Sequence, residues 1–164
     1  VWLATRSVTE DKIVGLEKAN SSGLAEVLPL ARRWAADPLQ PPKVRGMALP
    51  IIARFGTAAD RPLADALHDD GTSVGGSLTV VRRDAAGPKK ESPRYSATVG
   101  DVALAVSVHL AGGDPFAFGC GPPGKKTLNL AWGSLGYLGF ADEENRKAAH
   151  RKAKAWLAKA SPER

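Results

Sequence analysis

A single cysteine, Cys120, stands in 164 residues, so the chain forms no intrachain disulfide and has no cysteine-based zinc site. The three histidines, His68, His109 and His150, are scattered singly, with no second ligand three or four residues further on. A metal would need ligands converging from distant segments, and the sequence points to no metal and no cofactor. No apolar run approaches the roughly 18 residues that a helical membrane span requires. No charged-then-apolar signal segment opens the chain, which begins on Val1 rather than Met and so reads as a processed form or an excerpt. Aromatic residues are only 6% of the total and do not interleave with the basic clusters, as a base-stacking platform would require.

What is present is globular in composition. Hydrophobic residues make up 43% and charged residues 24%, away from the range of disordered chains. The length suits one core-forming domain. Lys and Arg number 23 against 17 acidic residues, a net charge of +6, which favours solubility and a weak attraction to anionic partners.

The chain is organised around Val99 to Gly112. Val99, Val102, Ala103, Val106 and Leu110 fall on one face of a 3.6-residue period, predicting a helix. Val44, Met47, Ala48, Ile51 and Phe55 repeat that spacing earlier, and both segments end near a glycine, Gly56 or Gly112, suited to the residue after a helix. Around this repeat, Thr9 is the expected cap of a short helix containing Ile13 and Leu16, and Ser22 that of the next. The latter carries a stripe of Leu24, Val27, Leu28, Ala31, Trp34 and Ala35, with Pro29 predicting a kink or a later start. Pro41 and Pro42 open a helix from Lys43 to Phe55, where Pro50 predicts a bend. Asp60 is the expected cap of a short helix through His68. These stretches, joined by tight turns, read as an antiparallel stack.

Asp69-Asp70-Gly71 begins an interruption rich in Gly, Ser and charge. Within it Leu78 to Arg82 and Tyr95 to Val99 have strand-like composition and are expected to pair as a hairpin. Without this segment the repeat is roughly 35–40 residues, the length class of helical solenoids. Further on, Leu128 to Phe140 is broken by Gly133, Gly136 and Gly139 and reads as extended chain or turns, with Trp132, Tyr137 and Phe140 packing on the helices. Asp142 caps a last helix from Glu143 to about Ala160, whose inward face is Ala149, Ala153, Trp156 and Ala160.

Val44-Arg-Gly-Met-Ala-Leu, its echo Val99-Gly-Asp-Val-Ala-Leu, and Pro62-Leu-Ala-Asp-Ala-Leu-His-Asp-Asp70 resemble HEAT-type repeats, whose second helices commonly open with Val-Arg-x-x-Ala-Leu. The likeness spans roughly Leu24 to Gly112, and Gly100 stands where the repeat has Arg. Asp114-Pro-Phe-Ala-Phe-Gly, Gly139-Phe-Ala-Asp and the Trp-containing last helix look like the C-terminal part of uncharacterised planctomycete proteins built on this repeat. The resemblance implies a mainly α fold of HEAT-like stacked antiparallel helices. The expected organisation is one domain over 1–164, with a β-hairpin or loop insertion at about 71–98 and a Gly/Pro-rich irregular segment at about 112–141. It implies a binding scaffold and carries over no catalytic residue.

Among candidates for chemistry, Gly119 to Thr127 meets the phosphate-loop spacing at Gly124 and Lys125, but Lys126 stands where Ser or Thr should bind magnesium, so an ordinary turn explains it better. Asp69 and Asp70, alone or with Asp101, could act as paired acid and base, yet turn and capping roles account for them. Ser134 is one residue short of the G-x-S-x-G elbow, and Cys120 has no motif around it. The strongest remaining signal is basic. Lys147, Arg151 and Lys154 lie close to one face of the last helix, flanked by Arg146 and His150, and the insertion adds Arg82, Arg83, Lys89, Lys90 and Arg94. These could meet a phosphate backbone or an acidic protein, or simply face solvent. The expectation is a non-enzymatic scaffold for a protein partner. A nucleic-acid-binding helical repeat is the alternative, and a hydrolase or transferase assembled from residues such as Asp101, His109 and Ser134 a third reading.

Overall fold

The computed structural model of the chain describes residues 21–79, 93–124 and 127–160; the expected helix after Thr9, and Arg82, Arg83, Lys89 and Lys90, lie outside them. Six α-helices and one two-stranded sheet make up the regular structure described: α1 (Ser21–Ala36), α2 (Pro42–Phe55), α3 (Arg61–Asp65), β1 (Leu78–Thr79), β2 (Arg94–Tyr95), α4 (Val99–Leu110), α5 (Leu128–Gly133) and α6 (Glu143–Leu157). Short 3-10 turns occupy Ala58–Asp60, Pro115–Phe118 and Leu135–Leu138.

Helix α4 is the centre. It packs against α2, α3 and α6 and against two of the 3-10 turns, and every residue from Val99 to Val108 is buried. The sequence period marks one apolar face, but Gly100, Leu104, Ala105 and Val108 fill the rest, and a helix apolar nearly all round is one enclosed on all sides. Thr98 and Asp101 fix its start as a reciprocal capping box. The Thr98 hydroxyl accepts from the Asp101 N–H, and the Asp101 carboxylate accepts from the Thr98 N–H at 2.8 Å.

Helices α1 and α2 pack on each other as a hairpin. Ala31 and Ala35 of α1 meet Ala48, Leu49 and Ile52 of α2 in the main core, and burying Leu49 and Ile52 is worth about 1.5–3 kcal/mol each. Helix α1 continues through Pro29 and α2 through Pro50. Asp60 departs from its expected role. It does stand at the N-cap position of α3 but makes no side-chain capping bond there; instead Thr57 caps the preceding 3-10 turn with Asp60 closing the box from N3, and the Asp60 carboxylate also accepts both Nε (2.6 Å) and Nη2 (2.9 Å) of Arg32 in α1. The helix that follows ends at Asp65, short of His68, and the chain turns from there to Asp69.

The hairpin pairs in antiparallel register, Leu78 with Tyr95 and Thr79 with Arg94. Its second strand is displaced from expectation, because Val99 is the first residue of α4. The base of the segment is part of the core. Val74 and Ala97 are each only 2% exposed, the Val74 N–H donates to the Ala97 carbonyl, and Val74 packs so closely on Gly46 of α2 that a Cβ there would collide with it. Ser96 bridges to Phe140, which ties the hairpin base to the C-terminal half.

Between Leu128 and Phe140, where extended chain or turns were expected, the chain forms the short helix α5 and then a 3-10 turn. Gly133 and Gly139 punctuate these short turns rather than preventing them: Gly133 ends α5 and Gly139 follows the 3-10 turn. Trp132 and Phe140 are buried in the main core, with Tyr137 partly buried against it. Helix α6 starts as expected, the Asp142 carboxylate accepting from the Asn145 N–H at 2.8 Å. It docks through Ala149, Ala153 and Leu157, while Trp156 lies against Phe118 with ring centroids 5.9 Å apart.

Candidate functional site

Small alanines let α6 approach α4 closely, and charge fixes it there. Asp101, whose side chain is fully enclosed, accepts from Arg146 Nε at 3.1 Å and lies 2.8 Å from His150 Nε2. Arg146 reaches on to the Ser96 carbonyl and to Glu143. One carboxylate therefore caps its own helix and anchors the neighbouring one, leaving few of its acceptor sites unused.

On the solvent side of this anchor lies a cleft of about 670 Å³, between α6 and the turn that follows α3. Helix α6 contributes Glu143, Arg146, Lys147, His150, Arg151 and Lys154; the turn contributes His68, Asp69, Asp70 and Gly71; Thr98 completes it. Lys147, Arg151 and Lys154, the basic row read from the sequence, thus line one wall, spaced over about 10 Å of helix axis. The acidic groups of the cleft are already engaged. Lys154 Nζ lies 2.7 Å from Asp69 Oδ1, Arg45 lies 2.5 Å from Asp70, and Glu143 pairs with Arg146 at 2.6 Å and more loosely with Lys147. Arg151 has no ion-pair partner among the described residues, so the cleft keeps an uncompensated guanidinium.

The acidic groups respond to these neighbours. The Lys154 ammonium holds the Asp69 carboxyl below the ordinary carboxylate range. Burial pushes Asp70 up, but hydrogen bonds from Thr72 and Arg45 outweigh it and leave that group lowered as well. His68 is the opposite case. Burial disfavours its cation and brings its pKa down to about 4, so the ring is neutral at pH 7.

His68 Nε2 lies 2.8 Å from Ser107 Oγ and 3.4 Å from Asp65 Oδ1. Serine, histidine and aspartate are together here, yet both oxygens face the same ring nitrogen, whereas a nucleophilic triad needs one at each, and Ser107 is fully buried on α4. The trio is an interior polar contact. Asp101 and His109 lie eight residues apart on α4, about 12 Å along its axis. His109 meets Trp132 edge-on, and Ser134 is exposed at the start of a 3-10 turn. Lys125 and Lys126 fall outside the described residues, and α5, which follows them, is a six-residue helix. Among the described residues no three His, Cys, Asp or Glu side chains gather to hold a metal ion, and no helix is long and apolar enough to cross a membrane.

The sequence reading named the α6 row but not its facing wall. The sequence offers Asp69 and Asp70 as a paired acid and base and, more simply, as turn and capping residues, and Asp70 does accept from the Thr72 N–H in such a turn. Nothing in local spacing brings residues 68–71 across from 147–154. Fold and site together define a mainly helical domain with a charged, cation-rich cleft. No family model, curated protein or solved structure matches the chain.

Proposed function

We propose that this chain is a non-enzymatic, HEAT-like helical scaffold that binds a protein partner, and that the contact surface is the cleft between α6 and the 68–71 turn. The observation that supports this is the row of Lys147, Arg151 and Lys154 on the cleft wall, with Arg151 unpaired among the described residues. A guanidinium free to make two parallel hydrogen bonds suits a carboxylate, so the partner is an acidic protein segment. A nucleic-acid backbone fits less well. Asp69, Asp70 and Glu143 interrupt the positive field, and among the described residues no Phe, Tyr or Trp lines the cleft to stack a base.

Fluorescence anisotropy of labelled hexaglutamate and of a labelled single-stranded oligonucleotide, at low and at high salt, tests the reading. Hexaglutamate should bind at low salt, and replacing Lys147 and Arg151 by Glu should weaken it about tenfold or more, since reversed charges repel where they had attracted. Tighter binding of the oligonucleotide than of the peptide would overturn the proposal in favour of nucleic acid. Indifference of the peptide to the double replacement would remove the cleft from it.

A further inference from the structure

The Lys154–Asp69 pair is unlike the other ion pairs of the cleft. Asp70 and Asp101 sit on buried or half-buried partners, Arg45 and Arg146, and each is also held by hydrogen bonds from the backbone, Asp70 from Thr72 and Asp101 from Thr98. The Asp69 side chain is 93% exposed, with Lys154 its hydrogen-bonding partner. An exposed pair of this kind is held weakly and exchanges readily with competing charges. It also spans the cleft, joining the 68–71 turn to α6. Arg151, one turn before Lys154 on the same helix, is a neighbour at the i, i+3 spacing.

We propose that Asp69 is a built-in stand-in for the ligand: it occupies on Lys154 the place of a partner's acidic side chain, which displaces it and is held by Lys154 and Arg151 together. This rests on the reading of the cleft as the surface for an acidic protein segment, and adds which group is recognised and what must leave. Asp69 swings into solvent at little loss of packing, because among the described residues Lys154 is the side chain that pairs with it. Binding of a carboxylate therefore exchanges one ion pair for another and gains the Arg151 contact. The competing carboxylate lowers affinity for any single acidic side chain and so favours segments that bring several.

The test is hexaglutamate anisotropy at low salt on the full chain, comparing Asp69→Asn with Glu144→Gln, which makes the same change in net charge at an exposed position of α6 outside the cleft. Asp69→Asn should tighten binding about two- to fivefold beyond Glu144→Gln, the scale of one exposed ion pair. That gain should vanish when Lys154→Gln is also present. Equal effects of Asp69→Asn and Glu144→Gln, or a gain that survives loss of Lys154, would overturn the stand-in role even where the wild-type chain binds hexaglutamate. A wild-type chain that ignores hexaglutamate at low salt would overturn the binding reading itself, and this one with it.

Discussion

Helices α2 and α4 carry the same short pattern, Val44 to Leu49 and Val99 to Leu104, and are treated differently by the fold. Helix α2 leaves Lys43 and Met47 exposed and begins on Pro41 and Pro42 without a side-chain cap. Helix α4 is enclosed from Val99 to Val108 and begins on a full capping box. The position after the valine shows why the copies diverge. Arg45 is buried at 8% exposure, donating from Nε to the Ala35 carbonyl at the end of α1 and pairing with Asp70. Gly100, its counterpart, donates its backbone N–H to the carbonyl of the same Asp70 at 2.8 Å. Both copies thus bind the 68–70 turn, one through a long side chain and one through bare backbone. The difference teaches that α4 sits one layer closer in, where no side chain fits.

The comparison is broken most severely at Asp101. Its counterpart in α2 is Gly46, which makes no anchor, whereas Asp101 holds Arg146 and His150 of α6. Asp101→Ala should cost about 3 kcal/mol, the low end of the penalty for removing one partner of a buried ion pair, since Arg146 keeps Glu143 and the Ser96 carbonyl, and should detach α6 before the rest. Urea unfolding followed by Trp fluorescence together with hydrogen exchange in α6 measures both effects. An unfolding midpoint within error of the wild type would mean that the alanine packing alone docks the helix. Gly100 gives the next effect. A Cβ there would lie 2.6 Å from the His68 carbonyl oxygen and 3.0 Å from that of Asp70, both backbone atoms. Gly100→Ala should therefore destabilise by about 2 kcal/mol, as overpacking does, although alanine favours helices. A more stable Gly100→Ala variant would show that the turn yields freely.

These contrasts also mark how much the sequence could show. The central helix, the Asp142 cap and the basic row on α6 were legible because each is written in local spacing: an apolar period, an acidic residue before it, cations at i, i+4 and i+7. The Thr57 cap was missed because Asp60 is equally good cap chemistry three residues later, and only its pairing with Arg32 reveals that its carboxylate is occupied. The short helices after Thr127 were hidden by their glycines: Gly133 ends α5, Gly139 follows the 3-10 turn, and Gly136 lies within that turn. The facing wall of the cleft was invisible for a different reason. Asp69 and Lys154 are 85 residues apart, and their meeting follows from how α3 and α6 both pack on α4, which no single segment encodes.

The mildest effect expected is one of pH, and it belongs to the α4 side alone. His68, packed against Ser107 of α4, has its pKa lowered to about 4 by burial, against about 6.5 for an exposed histidine. The unfolded chain then binds more protons than the folded one between those values, so stability is fully present above pH 6.5 and declines as the pH falls toward 4. With solvent screening discounted, the loss across that window should be of order 1–2 kcal/mol. The lowered carboxyls of Asp60, Asp69 and Asp70 act in the same direction but at lower pH, as protons return to them below their ordinary value near 4. His68→Asn separates the two, because its amide can still meet Ser107 but does not titrate. Its unfolding free energy should be flat from pH 6.5 to about 4.5 and then fall with the carboxyls. If the variant loses stability over that upper window as steeply as the wild type, the acid sensitivity arises elsewhere and the buried imidazole is not its source.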